Sequence, residues 1–152
     1  MQQVSPRKDI SAGSRYLGAQ AYTATPVSIP NSATTQIPLD TFGWNFEGFT
    51  FSGAGSIIIP TDAFYIAIAN FAFEAHADTN TRFANFSLNA TTNVGINSTR
   101  ATNSAQYPES FFAFMGEHLV AGDFLRMNVF QNSGIALNVT CYVEIAAWSF
   151  KE

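Results

Sequence analysis

IALNVTCYVEIAAWSF, residues 135–150, alternates with a period of two. Odd positions read Ile135, Leu137, Val139, Cys141, Val143, Ile145 and Ala147; even positions read Ala136, Asn138, Thr140, Tyr142, Glu144, Ala146 and Trp148. A strand sends successive side chains to opposite faces of a sheet, so the odd set predicts a core face. The even face interleaves polar groups with Tyr142, Trp148 and Phe150, which is too aromatic for a surface left to water.

The same alternation runs upstream. FLRMNVFQ (124–131) places Leu125, Met127 and Val129 on one side and Phe124, Arg126, Asn128 and Phe130 on the other. FYIAIANFAFEA (64–75) is apolar on both sides, and its large residues change parity from Ile66 and Ile68 to Phe71 and Phe73. That change predicts a bulge near Asn70, in an inner strand covered on one face by the opposing sheet and on the other by a neighbouring subunit. Further strands are expected at PVSI, TQIPL, FTF, SIIIP, TRFANFSLNA and FFAFM, with turn chemistry at PNS, SGAG, PTD, DTNT and AGD between them. The polar stretch 91–106 reads as an exposed loop or a weak edge hairpin. The sum is an all-β sandwich of about eight to ten antiparallel strands. Before Tyr22 no period is visible, which leaves residues 1–21 as an extended N-terminal arm and 22–152 as the single domain.

Composition points to assembly. The chain has 152 residues, 47% of them apolar and only 12% charged. One domain of this size exposes roughly 7,500 Å², and a soluble surface carries about 25–35% charged positions. A chain this poor in charge is expected to hide part of its surface against copies of itself or another protein, with oligomerisation the default. The net charge of -4 is unevenly divided: residues 1–20 hold Arg7, Lys8 and Arg15 against Asp9, and all the other acids lie in the body. An acidic body argues against binding nucleic acid, which relies on Lys and Arg displacing counterions. No apolar run approaches membrane-spanning length, so no membrane partner is expected. Polar residues follow Met1, so no secretory signal is expected and synthesis in a cytosol is. The lone Cys141 provides no disulfide framework. N-x-S/T matches begin at Asn85, Asn89, Asn97 and Asn138; in a chain this rich in Asn, Ser and Thr they carry little weight, and unglycosylated protein is expected.

No residue set announces chemistry. In HLVAGDFLRMNVFQNSG (118–134) the Gly of AGD tolerates positive φ and the Asp carboxylate can accept backbone N–H groups, so the segment reads as turn plus strand. Nucleophilic catalysis needs an activated Ser or Cys with a base and an orienting acid, and Cys141 falls on the apolar face. The acids show no pairing that suggests glycoside hydrolysis. DTNTR (78–82) lacks the Gly and closing Glu of a calcium loop, and His76 and His118 lack two further zinc ligands. No catalytic residue, cofactor or metal is expected, and the protein is read as not an enzyme.

IIIPTDAFY (57–65), HLVAGDFLRMNVFQNSG and the closing YVEIAAWSF together resemble the trimeric jelly roll of complement's collagen-tailed recognition subcomponent and of tumour necrosis factor. Leu119, Ala121, Gly122, Asp123, Gln131, Ser133 and Gly134 are its best carriers. Ala63 stands where that family usually has Gly, and the loop separating the last two strands is missing or very short from Ile135 onward. The resemblance implies a jelly-roll sandwich and a homotrimer. With the charge argument it suggests a trimer interface at Phe71, Phe73, Phe124, Phe130, Tyr142, Trp148 and Phe150. Similar small jelly rolls decorate bacteriophage heads. The expected function is therefore a structural virion protein, a trimeric capsid decoration (cement) protein made in the host cytoplasm. It would bind the major capsid protein on the outer capsid surface through an arm bearing Arg7, Lys8, Arg15, Tyr16 and Leu17. The alternative is a receptor- or glycan-binding head of a phage fibre or tail tip, with recognition by the loops at 76–82 and 91–106.

Overall fold

A computed structural model describes residues 14–46, 48–77, 80–100 and 108–150, and at 14–15, 96–100 and 148–150 it describes the backbone alone. The described residues form twelve strands: β1 (Ser14–Tyr22), β2 (Val27–Ile29), β3 (Ala33–Ile37), β4 (Thr41–Phe46), β5 (Thr50–Phe51), β6 (Ile57–Ile58), β7 (Ala63–Phe73), β8 (Thr81–Leu88), β9 (Thr92–Arg100), β10 (Glu109–Leu119), β11 (Phe124–Gln131) and β12 (Leu137–Phe150). One sheet has the order β10-β7-β12-β1-β4, with β2 also on β12; the other has β5-β6-β11-β8-β9, with β3 also on β11. All the pairings are antiparallel. This is the jelly-roll sandwich that the alternation and the resemblance predict.

The core lies between the sheets. The odd residues of β12 from Val139 to Ala147 are all buried, as are Leu125, Met127 and Val129 of β11. Each such large side chain contributes roughly 1.5–3 kcal/mol by leaving water. Phe111 of β10 stacks on Phe71 and Phe73 with ring centroids 5.9 and 5.8 Å away, and Tyr65 meets Phe49 edge-on. Arg82 is buried among these rings, 5.5 Å from the centre of Phe73, with its Nε 3.9 Å from Glu109. Since β8 and β10 belong to different sheets, this ion pair joins the two layers.

Four expectations are corrected. The first is the arm: Ser14–Tyr22 is not part of it but a strand between β12 and β4, with Leu17, Ala19 and Ala21 in the core. Beyond Leu17 its inward alternation is carried by the small Ala19 and Ala21, which hides it in the sequence.

Secondly, β7 has no bulge at Asn70, because its registers with β10 and β12 are unbroken. Tyr65, Ala67, Ala69, Phe71 and Phe73 all point inward, and Ile66 and Ile68 point out. Shifts occur instead at Gln20/Ala21 between β1 and β4 and at Asn85/Phe86 between β8 and β9.

The third is strand count: beyond the nine segments read as strands, β1, β4 and β9 make twelve. β4 is obscured because the shift at Gln20/Ala21 leaves Gly43 as an extra residue. Phe42 therefore points inward to stack on Phe51, while Trp44, of the same parity, lies outside beside Phe46. β9 takes the edge-hairpin reading of the polar stretch from Thr92 to Arg100.

The fourth concerns Phe71 and Phe73, which are core residues of the sandwich, 0% and 1% exposed, and not interface residues.

The quoted turns behave as their chemistry dictates. Gly122 has φ +91°, and the Asp123 carboxylate accepts the Val120 N–H at 2.9 Å and the Asn89 amide at 2.8 Å. Gln131 is fully buried; its amide donates to the carbonyls of Ile29 and Ile135 and its oxygen accepts the Ser133 N–H. That side chain closes the short crossing from β11 in one sheet to β12 in the other.

Candidate subunit interface

The outward face of β10-β7-β12-β1-β4 is built from residues that share register. One row across the strands reads Phe112, Asn70, Tyr142, Tyr22; the next reads Phe114, Ile68, Glu144, Gln20, Trp44; the third reads Gly116, Ile66, Ala146, Gly18, Phe46. A fourth holds His118 and Phe64, with Tyr16 on β1. Phe46, Phe64, Phe112 and Phe114 are each more than half exposed, and Ile66, Ile68, Tyr16 and Tyr142 are exposed as well. Tyr16 packs edge-on against Phe46, 6.2 Å between centroids, and its ring folds over Gly18, where a Cβ would meet the phenol oxygen at 2.7 Å.

A hydrogen-bonded polar cluster lies at the middle of these rows. The Gln20 amide donates to the Tyr142 hydroxyl at 2.6 Å and to Glu144 Oε1 at 3.4 Å, and the Tyr142 hydroxyl donates to the same oxygen at 2.7 Å. The hydrogen bond to Glu144 pushes the Tyr142 phenol above its ordinary value, assisted by partial desolvation and the carboxylate's charge. Within these four rows Glu144 is the one acidic side chain; Glu74, bonded to Asn138, lies at the far end of the same face. Gln20 Oε1 lies over Gly43, which leaves no room there for a side chain.

Of the predicted interface residues, Tyr142 is on this face. Trp148 and Phe150 pair through their backbones with Tyr16 and Ser14, and their side chains lie outside the description. Phe124 and Phe130 belong to β11 in the other sheet and point away from its core, so they do not join Tyr142; the Arg126 guanidinium stacks 5.1 Å over Phe124. Of the arm residues, Arg7 and Lys8 lie outside the described residues and Arg15 is described in backbone only. Tyr16 is on the exposed face, but Leu17, its neighbour in a strand, is in the core and cannot be an anchor. The sequence reading missed Phe64, Ile66, Ile68, Phe112, Phe114, Trp44 and Phe46. FFAFM carried the signal, since an alternating Phe111, Ala113, Met115 implies that Phe112 and Phe114 share the other face.

The residues weighed for chemistry are dispersed. His118 lies at the end of the sandwich that holds the 120–123 turn, and His76 follows β7 at the opposite end. Asp123 is engaged by the turn. Among the described residues no group of three or more His, Cys, Asp or Glu could hold a metal. Asp78 and Thr79 of DTNTR lie outside the described residues.

This chain is similar in structure to Eiger TNF from S. frugiperda, with a TM-score of 0.64 and 14% identity over 90% of this chain and 95% of that one. It is also similar to the globular domain of zebrafish complement 1qA protein, with a TM-score of 0.60 and 8% identity over 85% of this chain and 94% of the other. No family model and no curated protein matches the sequence. The fold is therefore the jelly roll of tumour necrosis factor and complement globular heads.

Proposed function

We propose that this chain is a binding head that assembles with copies of itself, as a homotrimer, and acts by attachment and not by catalysis. The observation that carries this reading is the exposed apolar face of Phe46, Phe64, Ile66, Ile68, Phe112 and Phe114. Five strands about 4.8 Å apart and four rows of alternate residues span a footprint of roughly 500–600 Å² before side-chain relief is counted. That is the scale of one side of a stable interface, about 800 Å² per partner, and it reaches the upper end of what monomers leave open, about 300–600 Å². Near absence of charge makes the face a match for another copy and a poor one for a charged partner. Sedimentation of the wild type and of Ile68→Asp tests it: the wild type should run as a trimer and the variant as a monomer. A monomeric wild type at micromolar concentration overturns the reading.

Within that reading, the head is a structural virion protein: a capsid decoration protein on the outer surface of a phage head, bound to the major capsid protein and made in the host cytoplasm. Support comes from charge and position. Ser14 pairs with Phe150, so residues 1–13, with Arg7 and Lys8, join the fold at the end that bears the 120–123 turn. The loops at 22–27 and 131–137 are at the other end. Three such segments on one body combine modest contacts through effective concentration, and binding only the intact lattice stabilises it by mass action. Deleting residues 1–13, and not β1, should abolish attachment to particles without changing the oligomer. Copies per particle should be stoichiometric with the shell.

One observation favours a receptor- or glycan-binding head at a fibre or tail tip instead. A pocket of about 310 Å³, lined by Pro26, Phe73, Glu74, Pro108, Asn138 and Thr140, opens at the end remote from Ser14. Few copies per particle and loss of host adsorption on deletion of the protein would select this second reading.

A further inference from the structure

We infer that Arg126, Ser87 and Asn128 form a binding site for a carboxylate-bearing saccharide on the outward face of the β5-β6-β11-β8-β9 sheet, away from the face proposed above for self-assembly. The register builds the site. Along β11 the outward residues are Phe124, Arg126, Asn128 and Phe130, and the last three pair with Ser87, Asn85 and Phe83 of β8. A polar centre is thus bounded by phenyl rings at both ends. Directly opposed side chains start about 4.5–5.5 Å apart, and alternate positions on one strand about 6.8 Å apart. Arg126, Ser87 and Asn128 therefore lie within the breadth of one monosaccharide.

These three polar groups are uncommitted, unlike those around them. Among the described residues no acid pairs with Arg126 and no hydrogen bond reaches it, although its Nε is buried. Ser87 is only 5% exposed, yet neither its hydroxyl nor the Asn128 amide has a partner among the described residues. The neighbours are engaged: the Asn85 amide donates to the Phe86 carbonyl and to Asn93, and the Gln36 amide donates to Ala54 and Ser56. Asp123, the nearest acid in sequence, accepts the Val120 N–H and the Asn89 amide. Burying a donor without an acceptor costs stability, and an outside acceptor that reaches Arg126 removes that cost.

Arg126 sets the charge of the ligand. Its guanidinium lies 5.1 Å over the Phe124 ring, which holds its plane, and a planar fork of donors matches a carboxylate with two parallel bonds. It is the one charged side chain described in the rows of this face, so the site suits a monoanion better than phosphate, which carries nearly two charges. Ser87 and Asn128 supply a hydroxyl and an amide, groups that both donate and accept as sugar hydroxyls do. Phe83, Phe124 and Phe130 are half-buried, and their rings offer apolar surface to the C–H faces of a sugar. An acidic peptide brings a carboxylate but lacks the adjoining hydroxyls that Ser87 and Asn128 match.

Glucuronic acid and N-acetylneuraminic acid, each beside its own methyl ester, test the site on the full chain. Heteronuclear NMR follows the Arg126 Nε and Asn128 amide signals. At least one acid should shift both, and its ester should bind about tenfold or more weakly, the worth of a charge-assisted pair. Arg126→Gln should weaken the acid by a similar factor and leave the ester unchanged, whereas Arg126→Lys, with the charge but not the fork, should recover only part of the loss. Ser87→Ala and Asn128→Ala should each weaken acid and ester alike, by about threefold. Circular dichroism checks that each variant folds; should Arg126→Gln not fold, Arg126→Lys and Asn128→Ala carry the comparison. No shift at Arg126 Nε with either acid up to about 10 mM overturns the inference. Equal affinity for acid and ester overturns it by removing the role of Arg126, and equal affinity for a blocked aspartate overturns it by assigning the site to any carboxylate.

Discussion

Gly95 of β9 rests against the backbone carbonyl of Phe114 in β10, so closely that no side chain fits between them. The contact joins the edge strands of the two sheets and closes one side of the sandwich. Gly95 also has φ +61°, in the left-handed region, beside the register shift at Asn85/Phe86. Two costs therefore fall on Gly95→Ala: left-handed backbone strain and a Cβ driven into a backbone atom that cannot swing away. The substitution should destabilise the fold by about 2–4 kcal/mol. Gly53→Ala, where no atom lies within 4 Å, is the control and should fall within about 0.5 kcal/mol of wild type in urea denaturation.

Gln131 is the second point where one side chain holds two sheets. Its two donated bonds and one accepted bond are made at full burial. Gln131→Leu keeps the volume but leaves the Ile29 carbonyl and the Ser133 N–H without that partner, and should cost about 2–4 kcal/mol. Ser133→Ala removes a hydroxyl bonded to the Ile135 carbonyl at an exposed site and should cost about 1 kcal/mol or less. Equal losses for the two, measured by chemical denaturation, would show that the buried amide has no special role.

These two positions differ in how far they could be read beforehand. Gln131 lies in the Q-N-S-G stretch that carries the family resemblance, and Asp123 in a turn whose chemistry is local, so both are legible from residue types. Gly95 is not, because its constraint comes from β10, distant in sequence. The candidate interface shows the same divide. Residue size on β7 suggested that Phe71 and Phe73 faced a partner, but the large Ile66 and Ile68 point outward and the small Ala67 and Ala69 inward. Where large residues line both faces of a strand, side-chain size no longer says which face is the core. Only register with β12 resolves it, and register is a long-range property. β1 was hidden for a related reason: Leu17 is the one large residue among its core positions, Ala19 and Ala21 bury little area each, and basic residues nearby suggested a tail.

Alkaline stability should report two buried groups. Burial pushes the Tyr65 hydroxyl up from 10.0 to about 12, with the nearby Asp62 charge adding to the shift, and burial pushes the Cys141 thiol above its ordinary 9.0. Both are raised, so the folded state holds protons that the unfolded chain releases. Their stabilising contribution is complete below the unfolded values and is lost as pH rises toward the folded ones. Unfolding free energy should decline first above pH 9, through Cys141, and then between pH 10 and about 12, where Tyr65 contributes roughly 2–3 kcal/mol. Cys141→Ala should remove the first decline, and adding Tyr65→Phe should reduce the second. A double variant with the wild-type alkaline profile would assign the decline to other groups.

Arg82 and Glu109 allow a test of what a buried inter-sheet ion pair does. Their side chains are 1% and 10% exposed, with 3.9 Å between Arg82 Nε and Glu109 Oε2, and the guanidinium also lies over Phe73. At that burial, removing one partner leaves the other charge with less compensation in a poorly hydrated site, a change that typically costs about 3–5 kcal/mol. Arg82→Met should show a loss of that size, because methionine fills the space beside Phe73 without the charge. In Arg82→Met/Glu109→Gln the carboxylate that lost the Arg82 charge is gone, so the double variant should be more stable than the sum of the single losses predicts. A double-mutant cycle by urea denaturation measures the difference. Additive losses would mean that the two charges are stabilised independently and that packing of the Arg82 stem against Phe73, not the ion pair, ties β8 to β10.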